Sequence, residues 1–220
     1  MSERQKIIEA IYGTKIVVIV RGMQTKDMVP LAEALNEAGI RLLEMTLNQS
    51  DAAERTETAR CISLLREKLG DRMYFGAGTV MNVEQMKLAM SAGAQFLISP
   101  HTNTDVISQT VAKGLVSVPG AFTPTEIQTA HEAGADFVKV FPIDAVGPGY
   151  LKSVIAPLNN IPLIAVGSVD LPVMKGYWDA GCVGFGMGSI IDRAAVAAGD
   201  FARVTEKAKA YTALADSLVR

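Results

Sequence analysis

Lys139 stands in the segment ADFVKVFP, with Phe137 and Phe141 two places away on either side. Residues two apart share one face of a β-strand, so the lysine and both phenylalanines point one way and Val138 and Val140 the other. An amine among aromatic rings is poorly solvated. Burial disfavours its charged form, and a fraction of neutral amine is what a Schiff-base nucleophile requires. Glu44, in RLLEMTLN, falls opposite an apolar face made by Leu43, Met45 and Leu47. A carboxylate facing the amine can shuttle protons. The same two residues can equally form a buried structural ion pair, and spacing alone does not separate the two readings.

Two further segments, AVGSV and GMGSIIDR, carry glycine next to serine after an apolar run. Gly167, Gly188 and the amide N–H groups around them suit an anion such as phosphate, and Ser168 and Ser189 add hydroxyls. Ser189 is expected either to cap a short helix SIIDR or to donate to a phosphate oxygen. Neither GFGMGS at 184–189 nor GAGT at 76–79 has the G-x-G-x-x-G spacing of a dinucleotide site. With two histidines and two distant cysteines, Cys61 and Cys182, no metal-ligand cluster is expected, nor any cofactor. Both cysteines are expected to be packing residues.

The elements that must position these residues repeat along the chain. Helix-like stretches ending in glycine run into apolar segments at Gly39, Gly93, Gly114, Gly134 and Gly181, where a helix end favours positive φ. Strands are predicted at 16–21, 40–47, 73–77, 95–99, 115–119, 136–141, 161–166 and 183–187, with amphipathic stretches between them. The spacing averages roughly 24 residues, what a βα unit with short loops needs. Eight such units with no linker predict one α/β domain over 1–220, a (β/α)8 TIM barrel; an open doubly wound sheet is the alternative. In a barrel, Lys139, Glu44 and Arg21 point inward near the strand C-termini. Gly76, Gly78, Gly167, Gly186 and Gly188 also lie there, where backbone is expected to approach a substrate.

Composition excludes several functions. Lys plus Arg is 21 and Asp plus Glu 23, a formal charge of -2, which gives no electrostatic case for nucleic acid or an anionic membrane surface. The densest apolar run, IVVIV at 16–20, is far below a membrane span. Sparse cysteines and a charged N-terminus make the cytoplasm the expected location.

In order along the chain, RLLEMTLN, FGAGTV, LISP, VPGAFTPTE, ADFVKVFP, AVGSV and GMGS resemble the bacterial KDPG/KHG aldolases. The resemblance runs from about Ile16 to Arg193. It implies a metal-free class I aldolase, usually a homotrimer, that cleaves a 2-keto-3-deoxy-6-phospho sugar acid or 4-hydroxy-2-oxoglutarate to pyruvate and an aldehyde. By position it implies Lys139 as the Schiff-base former and Glu44 as the acid/base. Thr79 and Pro100 shape the pyruvate half of the pocket, Phe141 stacks beside the lysine, and Gly167, Gly188 and Ser189 meet the phosphate. Arg21 matches an arginine of the phosphogalactonate-type members. Two positions depart from the pattern. Asn48 stands where phosphogluconate-type members carry an arginine for the substrate carboxylate, and Ser168 where glycine is usual. Asparagine cannot form a bidentate charged pair, which leaves the carboxylate to neutral donors or Arg21. The phosphogalactonate-type pattern fits this chain better. An epimerase-like barrel with the same phosphate site, or a non-catalytic binding barrel in which Lys139 and Glu44 merely pair, are the competing functions.

Overall fold

The structure, a computed structural model, describes residues 1–219. Its barrel strands are β1 (Ile16–Val20), β2 (Leu42–Thr46), β3 (Tyr74–Gly78), β4 (Phe96–Ile98), β5 (Val116–Val118, resumed at Gly120–Ala121), β6 (Val138–Val140), β7 (Leu163–Val166) and β8 (Gly184–Met187). Every pairing is parallel, and the ladder runs from Val116–Val118 through β4, β3, β2, β1, β8, β7 and β6 to Gly120–Ala121. Its two ends are therefore halves of one strand, interrupted at Pro119. Proline has no N–H to give a ladder. Its carbonyl still accepts from the Lys139 N–H at 2.9 Å, and that of Ser117 from Asp136 at 3.0 Å, so the barrel closes between β5 and β6. The predicted (β/α)8 barrel is the observed fold.

The helices form for local reasons legible in the chain. Gly39, Gly93, Gly114, Gly134 and Gly181 all take positive φ at helix ends. Asp51, Asn82, Asn103 and Thr123 cap helix N-termini with their side chains. Strand alternation then sorts apolar side chains into two layers. Val18, Val20, Leu43, Met45, Val138 and Val140 pack outward beneath the helices, while Val17, Leu42, Phe96, Phe137 and Ile164 fill the barrel.

One element closes the barrel from below. Helix α1 (Glu3–Thr14) inserts Ile7 and Ile11, each 1% exposed, among the interior side chains at the strand N-termini. Each such burial is worth roughly 1.5–3 kcal/mol. Arg4 pairs with Asp136 at 2.7 Å, and Glu3 accepts from Gln95 Nε2 at 2.7 Å, which ties the plug to β6 and β4. With the lower end filled, the barrel opens, among the described residues, at the strand C-terminal end. No helix among the described residues is long and apolar enough to cross a membrane.

Two local expectations are corrected. The segment SIIDR does not form a helix headed by Ser189: residues 189–190 are a turn, and the short helix α9 (Arg193–Ala197) is capped by Asp192. Two of the strand-end glycines, Gly76 and Gly78, serve protein packing rather than substrate approach, whereas Gly186 does line the cavity at the strand C-terminal end. A Cβ at Gly76 would meet Phe96, at Gly186 Val166, and at Gly78 the carboxyl of Glu44.

Candidate active site

Glu44 and Lys139 point into the upper barrel, 1% and 7% exposed. Lys139 is fixed by the β6 ladder, and its Nζ lies 4.6 Å from the Phe141 ring centroid. Glu44 reaches over Gly78: a Cβ there would stand 1.5 Å from Glu44 Oε1, so only glycine leaves room for the carboxyl. Glu44 Oε2 is buried with no hydrogen-bond partner. Among the described residues, neither Lys139 nor Glu44 belongs to an ion pair, so the close structural salt bridge is not formed.

Burial acts on both groups in the direction of neutrality. It pushes the Lys139 ammonium below the usual lysine range; the Arg21 charge acts the same way, and Glu44 opposes. It raises the Glu44 carboxyl above the usual range, against the pull of Lys139 and Arg21. Both shifts run toward what a Schiff-base nucleophile with a proton donor in the same cavity requires.

Around them is a cavity of about 210 Å³ at the strand C-terminal end. It is lined by Arg21, Glu44, Thr79, Pro100, Lys139, Phe141, Gly167, Ser168, Gly186, Gly188 and Ser189 together with the apolar Ile19, Val166, Val169 and Met187. That volume suits a small metabolite rather than a large ligand. At one end Arg21 Nη2 donates to Thr79 Oγ1 at 3.3 Å. Thr79 has φ +57°, a left-handed conformation that β-branched residues avoid and that costs about 1–3 kcal/mol. At the other end Gly167 and Ser168 both take positive φ, +122° and +44°. The Ser189 hydroxyl donates to the Val169 carbonyl, which joins the β7 and β8 loops and directs its proton away from a ligand.

Asn48 is not brought to this cavity. Its Oδ1 accepts from Ser50 and Asp51 and its Nδ2 donates to Glu54, which ties it to the start of α3 (Ala52–Leu69). It lines a neighbouring recess of about 740 Å³ between α2 (Thr25–Glu37) and α3, which shares Arg21 with the catalytic cavity. That recess is larger, and its described lining includes Cys61, Thr25 and Glu57 but no lysine. Cys61, buried there, has its thiol pushed up by burial and donates to Thr25 Oγ1 at 3.3 Å. The other cysteine, Cys182, is buried as well. Among the described residues no group of three His, Cys, Asp or Glu is placed to hold a metal.

The sequence profile of the aldolase family "KDPG and KHG aldolase" matches residues 7–207. The chain belongs to the KDPG and KHG aldolase family. A 2-dehydro-3-deoxy-6-phosphogalactonate aldolase of Escherichia coli K12 is 34% identical over 180 residues, 81% of this chain and 85% of its own. A 2-dehydro-3-deoxy-phosphogluconate aldolase of Treponema pallidum is also 34% identical, over 90% of this chain and 92% of its own. Among solved structures, one titled "Native KDPGal structure" superposes with a TM-score of 0.82 at 32% identity, covering 92% of this chain and 95% of that one. Relatives of both sugar-acid types thus match at one level of identity.

Within this member of the KDPG and KHG aldolases, sequence reasoning passed over one tie to the backbone of Arg21. Arg193 Nη2 donates to the Arg21 carbonyl at 2.8 Å and ties the β8 loop to the β1 loop. The two residues are 172 apart in sequence, so no local pattern joins them.

Proposed function

We propose that this protein is a class I aldolase that cleaves a 2-keto-3-deoxy-6-phospho sugar acid to pyruvate and glyceraldehyde 3-phosphate. The observation that carries the reading is the buried amine of Lys139, held toward its neutral form in a cavity it shares with the buried acid of Glu44. The amine attacks the C2 carbonyl to give a carbinolamine. Glu44 donates a proton to its hydroxyl, water leaves, and an iminium forms on Lys139. The Glu44 carboxylate then takes the C4 hydroxyl proton through a water. The C3–C4 bonding pair moves into the iminium, releasing the aldehyde and leaving an enamine in place of a poor carbanion. Glu44 returns the proton to C3, and addition of water frees pyruvate and restores the amine.

Arg21 and Thr79 meet the substrate carboxylate in this reading, with Pro100 and Phe141 shaping the pyruvate half. The turns at Gly167–Ser168 and Gly188–Ser189 receive the phosphate. One observation favours a second reading, an unphosphorylated 4-hydroxy-2-oxo acid: the Ser189 hydroxyl is already committed to Val169. The protein is a cytoplasmic homotrimer in the family manner, which light scattering after gel filtration checks. Incubation with pyruvate and borohydride should leave an adduct on the Lys139 peptide, located by mass. Folded protein without that adduct sinks the assignment. A higher kcat/KM for the phosphorylated substrate than for its unphosphorylated analogue separates the two substrate readings.

A further inference from the structure

Thr79 is left-handed at φ +57°, and such a conformation persists only where its surroundings enforce it. Two glutamines outside the catalytic cavity do so. Gln49, on the loop after β2, donates from Nε2 to the Thr79 carbonyl at 2.8 Å and to the Leu47 carbonyl at 3.3 Å, spanning the ends of β2 and β3. Its Oε1 accepts from Gln85 Nε2 at 2.8 Å. Gln85 lies on α4 (Val83–Ser91), and its Oε1 accepts from the Met81 N–H at 2.8 Å. The chain of amides therefore begins at the carbonyl of Thr79 and ends two residues further on, at Met81. It grips the backbone immediately after the strained residue, at the Thr79 carbonyl and the Met81 N–H. Each amide uses a donor and an acceptor, which a carboxylate cannot do. On its inner side Thr79 presents its hydroxyl to Arg21 and lines the cavity.

We propose that Gln49 and Gln85 form an amide clamp that holds Thr79 left-handed and thereby sets the carboxylate-binding end of the site. Both are positioning residues, because neither lines the catalytic cavity. The inference rests on the aldolase reading. Its test uses the full chain and measures the pyruvate concentration that half-saturates borohydride trapping at Lys139. Gln49→Ala should raise that concentration about tenfold, while inhibition of cleavage by inorganic phosphate is unchanged. Gln85→Ala should do the same, and the double variant little more, since either loss opens the clamp. In a Thr79→Ala background Gln49→Ala should shift it by less than about twofold, because the residue it positions has lost its hydroxyl. Unchanged half-saturation in Gln49→Ala overturns the clamp. So does an undiminished tenfold shift in the Thr79→Ala background, or an equal shift in phosphate inhibition. Wild-type protein that forms no pyruvate adduct overturns the aldolase reading and the clamp together.

Discussion

Gly78→Ala tests the placement of Glu44 without substituting either catalytic residue. The new Cβ would stand 1.5 Å from Glu44 Oε1, against 3.4 Å for ordinary van der Waals contact, so the carboxyl must retreat by about 1.9 Å. The backbone at Gly78 does not have positive φ, so alanine meets no conformational penalty there and the effect is steric. Overpacking of this kind costs about 1–3 kcal/mol of stability, which a thermal melt will show as a modest fall in Tm. The chemical effect should be larger. A misplacement of about 1 Å in a reacting group can cost 100-fold, so kcat for cleavage should fall by at least about 100-fold, or ~2.7 kcal/mol of transition-state stabilisation. Cleavage is followed by coupling the released pyruvate to a dehydrogenase. Lys139 is not displaced, so borohydride trapping of pyruvate should persist, at a reduced rate. Gly76→Ala is the control: its nearest clash would be with Phe96, lowering Tm with a much smaller loss of kcat. A Gly78→Ala protein that is folded and keeps kcat within twofold of wild type would refute the assignment of Glu44 as the proton shuttle.

Lys139→Met should abolish cleavage yet raise stability near neutrality. Burial lowers the lysine pKa in the folded state from its ordinary 10.5, so the unfolded chain binds more protons between the folded pKa and that value. Wild-type stability therefore rises with pH through this window, and the advantage of methionine, read from denaturant midpoints, should shrink as pH approaches 10.5. Ile7→Ala should cost about 2–5 kcal/mol in denaturant unfolding while kcat of the folded protein is retained, because α1 plugs the end of the barrel remote from the cavity. Comparison of kcat/KM for the gluconate and galactonate epimers should show no strong preference for gluconate, since Asn48 is held at the α3 N-terminus and brings no charge to the site; a strong gluconate preference contradicts this.

Near-neighbour features were legible in the chain. The alternation of Phe137, Lys139 and Phe141 against Val138 and Val140 placed the lysine inside a strand-built core, because side-chain direction in a strand depends only on position within it. Helix-ending glycines such as Gly134 and Gly181 marked the βα repeat, because the left-handed turn they allow is a local backbone property. From these followed the barrel, its orientation and the cluster of Glu44, Lys139, Gly167 and Gly188 at one end. Ser189 was harder to place: a serine before apolar residues looks like a cap, and the interaction it prefers, with Val169, lies on another loop.

What the tertiary structure alone decided involves atoms brought together from distant segments. The glycine at 78 is required by a carboxylate on the neighbouring strand, the interruption at Pro119 coincides with the seam of the barrel, and α1 fills its floor. Arg193 grips the backbone of Arg21, and Gln49 and Gln85 hold the backbone from the Thr79 carbonyl to the Met81 N–H. Each depends on strand register and loop direction summed over tens of residues, and a change of one residue in register would turn these side chains to the opposite face. The sequence by itself determined which residue types face the barrel interior at its upper end, because residue type and strand parity are local. The exact seating of the acid and the shape of the carboxylate end came only with the closed barrel, because contacts between strands exist only once the chain has packed.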